Sequence, residues 1–419
     1  MNVERTRLNR RAFLRASACA ISAPLAMPSA IFGFNGGVSP SNKINVFHVG
    51  MGVRGNQVME IFLDNPNYRV VGTCDCMRNR AESGAAKADA HYGDKGTAIS
   101  YYYEEALERP DVDVICCACP DHWHTKISVE ACRAGKDVYC EKPLTLTLQE
   151  SRLIVKAARK YNRVCTGGSQ RVMEDYGSIA PILQSGAIGE VKEALVEVGG
   201  PPIPCYLPEQ PIPEGLDWDR WLGQAPYAPY NEGRYTGFYD SGWRRYSEYG
   251  TGFLADWGAH KFAAALYCVG LDLEEPVEIT PPGYDGSPYA IATYKNGFKI
   301  YHIWNGPDDH DMTFKGTEGE FDVRYSKLKP LKQVDVRRYA GGATTIADDF
   351  AFCVRHRARP FQDFAYAAKA AALCQLFAIC HKLGRKLQWD AENCRFVGDE
   401  EANRHVARPQ RAPYAIPSV

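Results

Sequence analysis

Asp256 and His260 stand four residues apart, just after Gly250 and Gly252 and at the head of the apolar run Phe262 to Val269. On a helix that spacing stacks both side chains on one face. There a carboxylate orients an imidazole that accepts a hydroxyl proton near neutral pH. A helix-capping Asp with an incidental His has the same spacing. A second constellation is Gly50-Met51-Gly52-Val53-Arg54-Gly55, with Asp75 lying 25 residues past Gly50. Glycines so spaced let the chain turn tightly, approach a pyrophosphate and pack helix on strand, and the later acid takes ribose hydroxyls. A third is Glu141-Lys142-Pro143. A lysine can hold a substrate oxygen or lower a hydroxyl pKa, although Lys142 alone also reads as a loop lysine before a turn proline. Imidazole, lysine and nicotinamide together are the parts that oxidation of a secondary alcohol needs.

These residues need elements to place them. Lys43 to Val49 is apolar and β-branched, Asn56 to Asp64 carries a helical apolar pattern, and Tyr68 to Cys74 is a second strand ending at Asp75. Asp113 to Cys119 reads as a buried strand that ends in a turn, Pro120-Asp121-His122-Trp123-His124. An amphipathic stretch follows from Lys126 to Ala134, and the strand Asp137 to Cys140 runs into Glu141. In an open parallel sheet, ligands sit beyond the carboxyl ends of the strands. Pro120, His122, His124, Glu141 and Lys142 are therefore expected on the cofactor side, with Gly50, Gly52, Val53, Arg54 and Gly55. Asp75 favours NAD by repelling a 2′-phosphate, while Arg78 and Arg80 just beyond are candidates to receive one, so NAD is expected with NADP as the alternative. Arg80 reads as a solvated helix charge. Cys116 and Cys119 have C-x-x-C spacing but lie in a buried strand with no second C-x-x-C, so core packing is expected and no metal.

Taken together, these motifs resemble the Gfo/Idh/MocA oxidoreductase family, named for glucose-fructose oxidoreductase and inositol dehydrogenase. The likeness continues in Thr166-Gly167-Gly168-Ser169-Gln170-Arg171, in Gly186 to Val191 and in Gly252 to His260. It implies an α/β fold: an N-terminal Rossmann NAD(P)-binding domain, then a C-terminal α+β domain with a large open, mostly antiparallel sheet that also builds homodimers or homotetramers. It implies catalysis by Lys142, Asp256 and His260, with His260 as base, Lys142 polarising the oxygen and Asp256 binding or orienting. The implied substrates are sugars, inositols or related polyols. One branch on this fold hydrolyses glycosides by transient oxidation and elimination; it does not keep the lysine, so Lys142 argues for a dehydrogenase. Where many relatives continue past the histidine with another His and an Asp, this chain has Lys261 and Ala263, so further ligands there are not carried over. A non-catalytic binding protein on the same fold is the third reading, opposed by the complete set of Lys142, Asp256 and His260.

Between Pro201 and Tyr249 the chain is dense in Pro, Tyr, Trp and Arg, including Trp218, Trp221, Tyr235, Tyr239, Trp243 and Arg244. Flat rings beside arginines suit the C–H faces and hydroxyls of a carbohydrate, and packing explains aromatics equally well. Arg171, Trp243 and Arg244 are the substrate candidates, with Lys142, Asp256 and His260. Runs over Tyr289–Tyr294, Lys299–Trp304 and Glu320–Val323 read as antiparallel strands, and Phe364–Leu383 as an Ala-rich core helix. The expected division is 1–35 export segment, 42–166 dinucleotide-binding domain, 167–390 substrate and oligomerisation domain, and 391–419 closing segment.

The 419 residues carry 49 basic and 50 acidic side chains, a formal charge of -1, with 45% hydrophobic residues and 15 Cys. That balance argues against nucleic acid as a partner and excludes a disordered chain. Arg10-Arg11-Ala12-Phe13-Leu14, followed by a weakly apolar run broken by Pro24 and Pro28, resembles a twin-arginine signal, implying the twin-arginine export machinery as partner and a periplasmic address. Substrates of that route cross the membrane folded, which fits a tightly bound cofactor and thiols that stay free.

Overall fold

The computed structural model describes residues 42–236, 242–304 and 311–419. The twin-arginine segment, Cys19 and Tyr239 lie outside the described residues.

The apolar runs of the first third form a parallel sheet. Its elements are β1 (Ile44–Val49), α1 (Val53–Asp64), β2 (Tyr68–Cys74), α2 (Arg78–Tyr92), β3 (Ala98–Ser100), α3 (Tyr103–Glu108), β4 (Val114–Cys117), α4 (Asp121–Arg133), β5 (Asp137–Cys140), α5 (Leu148–Lys160) and β6 (Cys165–Gly167). The strand order is β3-β2-β1-β4-β5-β6, every pair parallel. The order reverses between β1 and β4, so a crevice opens beyond their carboxyl ends. Strands β4 and β5 are buried at every position, as expected for a sheet covered by helices on both faces. At α5 the Thr147 side chain accepts from the Glu150 N–H, satisfying one of the open donors at the helix start.

Strand β4 stops at Cys117, two residues short of the expected end, and the boundary that follows it differs in kind. Pro120 to His124 is not a turn: Pro120 is the N-cap of α4 and Asp121 begins the helix. Proline suits a helix start because it has no N–H to leave unpaired. The consequence for His122 and His124 appears below.

The second half holds β7 (Val191–Glu197), α6 (Gly252–Val269), β8 (Glu278–Thr280), β9 (Ala290–Thr293), β10 (Lys299–Ile303), β11 (Met312–Gly316), β12 (Glu320–Asp322), α7 (Phe364–Leu383), β13 (Leu387–Asp390) and β14 (Arg395–Phe396). They build an eight-stranded sheet, β12-β11-β7-β10-β9-β8-β13-β14, mostly antiparallel with β7 and β10 parallel. Alternate residues such as Ala194, Val196, Ala290, Ala292 and Ile300 are fully buried, the period-two pattern of a sheet with one covered face. Helix α7 is long and apolar enough to cross a membrane. Here it is core: Ala372, Cys374, Leu376 and Phe377 are inaccessible to solvent. Ile44–Val419 forms one compact unit, and the end of the chain reaches back to α4 and α5. Tyr414 meets the Trp123 ring at 5.7 Å, and the Lys156 ammonium donates to the Val419 carbonyl at 2.5 Å.

Candidate active site

A cavity of about 540 Å³ opens where the sheet order reverses, and both the glycine turn at Gly50 and the helix residue His260 line it. Gly50 has φ +92°, and a side chain there would press to 2.7 Å from the Ala118 carbonyl carbon; one on Gly55 would lie 1.9 Å from the Gly50 oxygen. Only glycine fits either place. A Cβ on Gly52 would meet nothing nearer than Arg80 Nη1 at 4.0 Å, so the start of α1 faces open space with its backbone donors, the geometry that receives a pyrophosphate. Asp75 also lines this end. Its oxygens accept from the Met51 N–H at 2.7 Å and the Met77 N–H at 2.8 Å, joining the glycine turn to the end of β2. Burial raises its pKa against those two N–H groups. Each oxygen keeps a lone pair for a ribose hydroxyl. The residues fit a dinucleotide.

At the other end, β5 and β6 deliver Lys142 and Ser169, and the first turns of α6 deliver Asp256 and His260. Lys142 Nζ donates to Asp256 Oδ1 at 2.6 Å and to the Asp256 carbonyl at 2.9 Å. Arg244 Nε lies 3.5 Å from the same carboxylate oxygen. Burial opposes ionisation of Asp256, but Lys142 and Arg244 outweigh it and hold the carboxyl below its usual range. Arg54 pairs with Glu141 at 3.0 Å, tying the glycine turn to the turn that carries Lys142.

His260 is buried at 4% exposure, with Nδ1 2.8 Å from Ser169 Oγ. Ser169 has one proton, and the Ala259 carbonyl accepts it at 2.9 Å. Nδ1 must then be the donor to Ser169, which fixes the proton on Nδ1 and leaves Nε2 as a bare lone pair. Burial first, then the charges of Lys142, Arg171 and Arg54, push the imidazole pKa well below its ordinary value. The ring is therefore neutral and oriented to accept a proton.

Two family models match the chain. The description "Oxidoreductase family, NAD-binding Rossmann fold" covers residues 44–169, and "Oxidoreductase family, C-terminal alpha/beta domain" covers 204–416. The chain belongs to the Gfo/Idh/MocA oxidoreductase family. A glycosyl hydrolase family 109 protein of Streptomyces niveus is 32% identical over 128 residues, 30% of this chain and 26% of that protein. A dTDP-3,4-didehydro-2,6-dideoxy-alpha-D-glucose 3-reductase of Saccharopolyspora spinosa is 35% identical over 109 residues, 24% of this chain and 31% of that one. These matches span about a quarter to a third of the curated relatives' length. In fold the chain is similar to a levoglucosan dehydrogenase solved with NADH and levoglucosan, at TM-score 0.53 and 18% identity, covering 83% of this chain and 99% of that one.

Within this Gfo/Idh/MocA site, Gly50, Gly52, Val53, Arg54, Gly55, Asp75, Pro120, Glu141, Lys142, Arg171, Trp243, Arg244, Asp256 and His260 all line the cleft. Three expected residues do not. Arg78 stacks over Tyr101 at 4.4 Å, and Arg80, read from sequence as a solvated charge, faces the cleft instead, its guanidinium 4.9 Å from the Tyr235 ring. A helix starting at Arg78 turns these two residues to different faces. His122 and His124 are buried because α4 begins at Asp121. His122 Nε2 donates to the Trp221 carbonyl at 2.9 Å, and His124 bonds to Pro143 and Cys119. Asp256 orients Lys142 and not His260; that task falls to Ser169, whose position just past the end of β6 was a usable signal. The aromatic loop is largely self-packed, with Trp218 and Trp221 stacked at 4.7 Å against Tyr230 and Tyr235, while Tyr227 is exposed. Trp257, one helical turn before Lys261 and unremarked in the sequence, lines the cleft with Arg171 5.1 Å from its ring.

Proposed function

We propose that this protein transfers a hydride between a nicotinamide and a secondary alcohol of a sugar, inositol or glycoside. The observation that carries the reading is the neutral, Nδ1-protonated His260 with Nε2 bare, beside the Lys142–Asp256 pair at the inner end of a dinucleotide cleft. When bound, the nicotinamide supplies hydride acceptance. The chain supplies the rest. Lys142 holds the substrate oxygen and stabilises developing negative charge on it. His260 Nε2 takes the hydroxyl proton. Asp256, ionised between Lys142 and Arg244, keeps the ammonium in place and the local charge balanced. The rings of Trp243 and Trp257, each under an arginine at 4.4 and 5.1 Å, form flat apolar surfaces with adjacent donors, which suit a carbohydrate.

Purified protein with NAD or NADP is expected to change nicotinamide absorbance on at least one member of a panel of hexoses, inositols, sugar acids and glycosides. Silence across the panel removes the net-dehydrogenase reading. The similarity to a glycosyl hydrolase family 109 protein supports a second reading, glycoside cleavage by transient oxidation and elimination, marked by released aglycone with no net change in the nicotinamide. Tight cofactor binding, export by the twin-arginine route to the periplasm, and homodimers or homotetramers built on the eight-stranded sheet belong to the same proposal. Arg10-Arg11 and the family's architecture support them. Signal processing in cell fractions and light scattering of the purified protein test them.

A further inference from the structure

His124 is 1% exposed and lies in the first turn of α4, behind the cleft wall. Its Nδ1 is 2.8 Å from the Pro143 carbonyl and its Nε2 is 2.9 Å from the Cys119 carbonyl. A carbonyl oxygen only accepts, so each ring nitrogen must donate, and only the imidazolium carries two N–H groups. Turning the ring over sets carbon atoms against both carbonyls at these distances. The two carbonyls belong to the two turns that shape the inner cleft: Cys119 follows β4 among the lining residues, and Pro143 directly follows Lys142. Asp256 holds the tip of Lys142; the turn carrying its backbone is held from behind.

We propose that His124 is a positioning residue for Lys142, a buried imidazolium whose two N–H groups clamp the turn after β4 to the turn after β5. The inference rests on the catalytic place given to Lys142 above.

The surroundings fit a cation. Cys117 on β4 and Cys140 on β5 place their sulfurs within 4.8 Å of a His124 ring nitrogen and of each other. Asp121 is three residues back on the same helix and 4% exposed. Cys119, beyond β4, interacts with Cys117, and His122 on α4 is a basic group interacting with the ring, while Lys142 and Arg244 act on the adjacent Asp121. Burial disfavours charge on His124, yet Cys117, Asp121 and the two carbonyls outweigh it and hold its pKa above the ordinary value. Burial likewise opposes a Cys117 thiolate, and hydrogen bonds from Cys119 and Cys140 with the charge on His124 outweigh that too. Two thiols and an imidazole so close suggest a metal centre, but both ring nitrogens are committed to carbonyls and no lone pair is left to bind one.

Loss of the proton sets a lone pair against a carbonyl oxygen under 3 Å away and releases one turn. The test combines a measurement without turnover with one that needs it. In protein carrying ¹⁵N-labelled histidine, both His124 nitrogens are expected at protonated-type shifts at about pH 7, above the ordinary histidine pKa of ~6.5. A pyridine-type shift on either nitrogen at that pH overturns the proposal. This readout stands whether or not a sugar is oxidised, so its failure is separable from failure of the dehydrogenase reading. In His124→Gln, one amide replaces two N–H arms, and kcat is expected to fall about 10- to 100-fold, the scale of a misplaced catalytic group, with the NAD dissociation constant nearly unchanged. Unchanged kcat overturns the proposal. Should that variant fail to fold, the wild-type rate is followed through the alkaline titration of the His124 ring: kcat falling with it supports the clamp, and a level kcat overturns it.

Discussion

His260 and His124 are both almost inaccessible, and burial pushes both toward the neutral form. They nevertheless end in opposite states, because their neighbours differ. His260 gives one N–H to Ser169 and faces Lys142, Arg171 and Arg54, so nothing rewards a second proton. His124 faces the Cys117 thiolate, the Asp121 carboxylate and two carbonyls, so both nitrogens keep theirs. The comparison teaches that burial pushes both rings the same way, and that neighbouring charges first, then hydrogen-bond partners, decide whether it prevails. One fold can thus hold one histidine as a neutral proton acceptor and another as a fixed cation.

The largest effects are expected where the reacting groups are removed. Lys142→Ala and His260→Asn each should lower kcat by about 10²- to 10⁴-fold, the range for loss of a positioned acid–base group, with nucleotide affinity nearly intact because the glycine turn and Asp75 are untouched. Undiminished turnover in Lys142→Ala would sink the role given to Lys142. The acid limb of kcat/KM is expected below pH 6.5: the base works unprotonated, and its pKa is lowered.

Stability should divide the histidines along the same line. His48 and His122 are fully buried and held neutral, their pKa values lowered by burial to about 4 and about 3. For such a group the unfolded chain takes a proton first, so stability is complete above the unfolded value and is lost as pH falls from ~6.5 toward the folded value. For His48 alone that amounts to ~3 kcal/mol by pH 4. His124 has the opposite sign: its contribution is complete below ~6.5 and is lost as pH rises through its raised folded value. Neither ring nitrogen of His48 has a partner, so His48→Leu removes the acid-sensitive group without orphaning another. Denaturant titrations of this variant between pH 7 and 4.5 should show a shallower loss than the wild type. An identical slope refutes the assignment.

How much of this was legible in the sequence depended on whether a residue's neighbours are near in the chain. The glycine turn, the ends of β1, β2 and β5 and helix Phe364–Leu383 follow local patterns, and each appears where the pattern placed it. Lys142, Asp256 and His260 were named singly, but their pairing was misread: an i,i+4 spacing shows that two side chains share a face, not that they bond. Asp256 turned to the lysine in the turn after β5, and His260 to a serine 91 positions away. His122 and His124 were misplaced by a boundary of a few residues, since starting the helix at Asp121 rotates both out of the cleft. Arg78 and Arg80 exchanged roles for a similar reason. What failed was orientation, which tertiary contacts decide.

Ser169→Ala gives the smallest and most discriminating effect. Without the hydroxyl, the His260 Nδ1–H loses its acceptor, and the Ala259 carbonyl loses a donor. A single hydrogen bond of this kind is worth about 1 kcal/mol net, so kcat should fall roughly 5- to 10-fold, far less than in His260→Asn, because Nε2 is still present and only its orientation and tautomer are loosened. The imidazole pKa should stay low, since burial and the three cations, which the substitution leaves in place, cause its depression. A drop in kcat with an unmoved acid limb therefore supports orientation as the role of Ser169. A limb that shifts toward pH 6.5 would mean that Ser169 helps set the charge state of His260, and the separation between orienting and charging groups drawn from the two histidines would fail there.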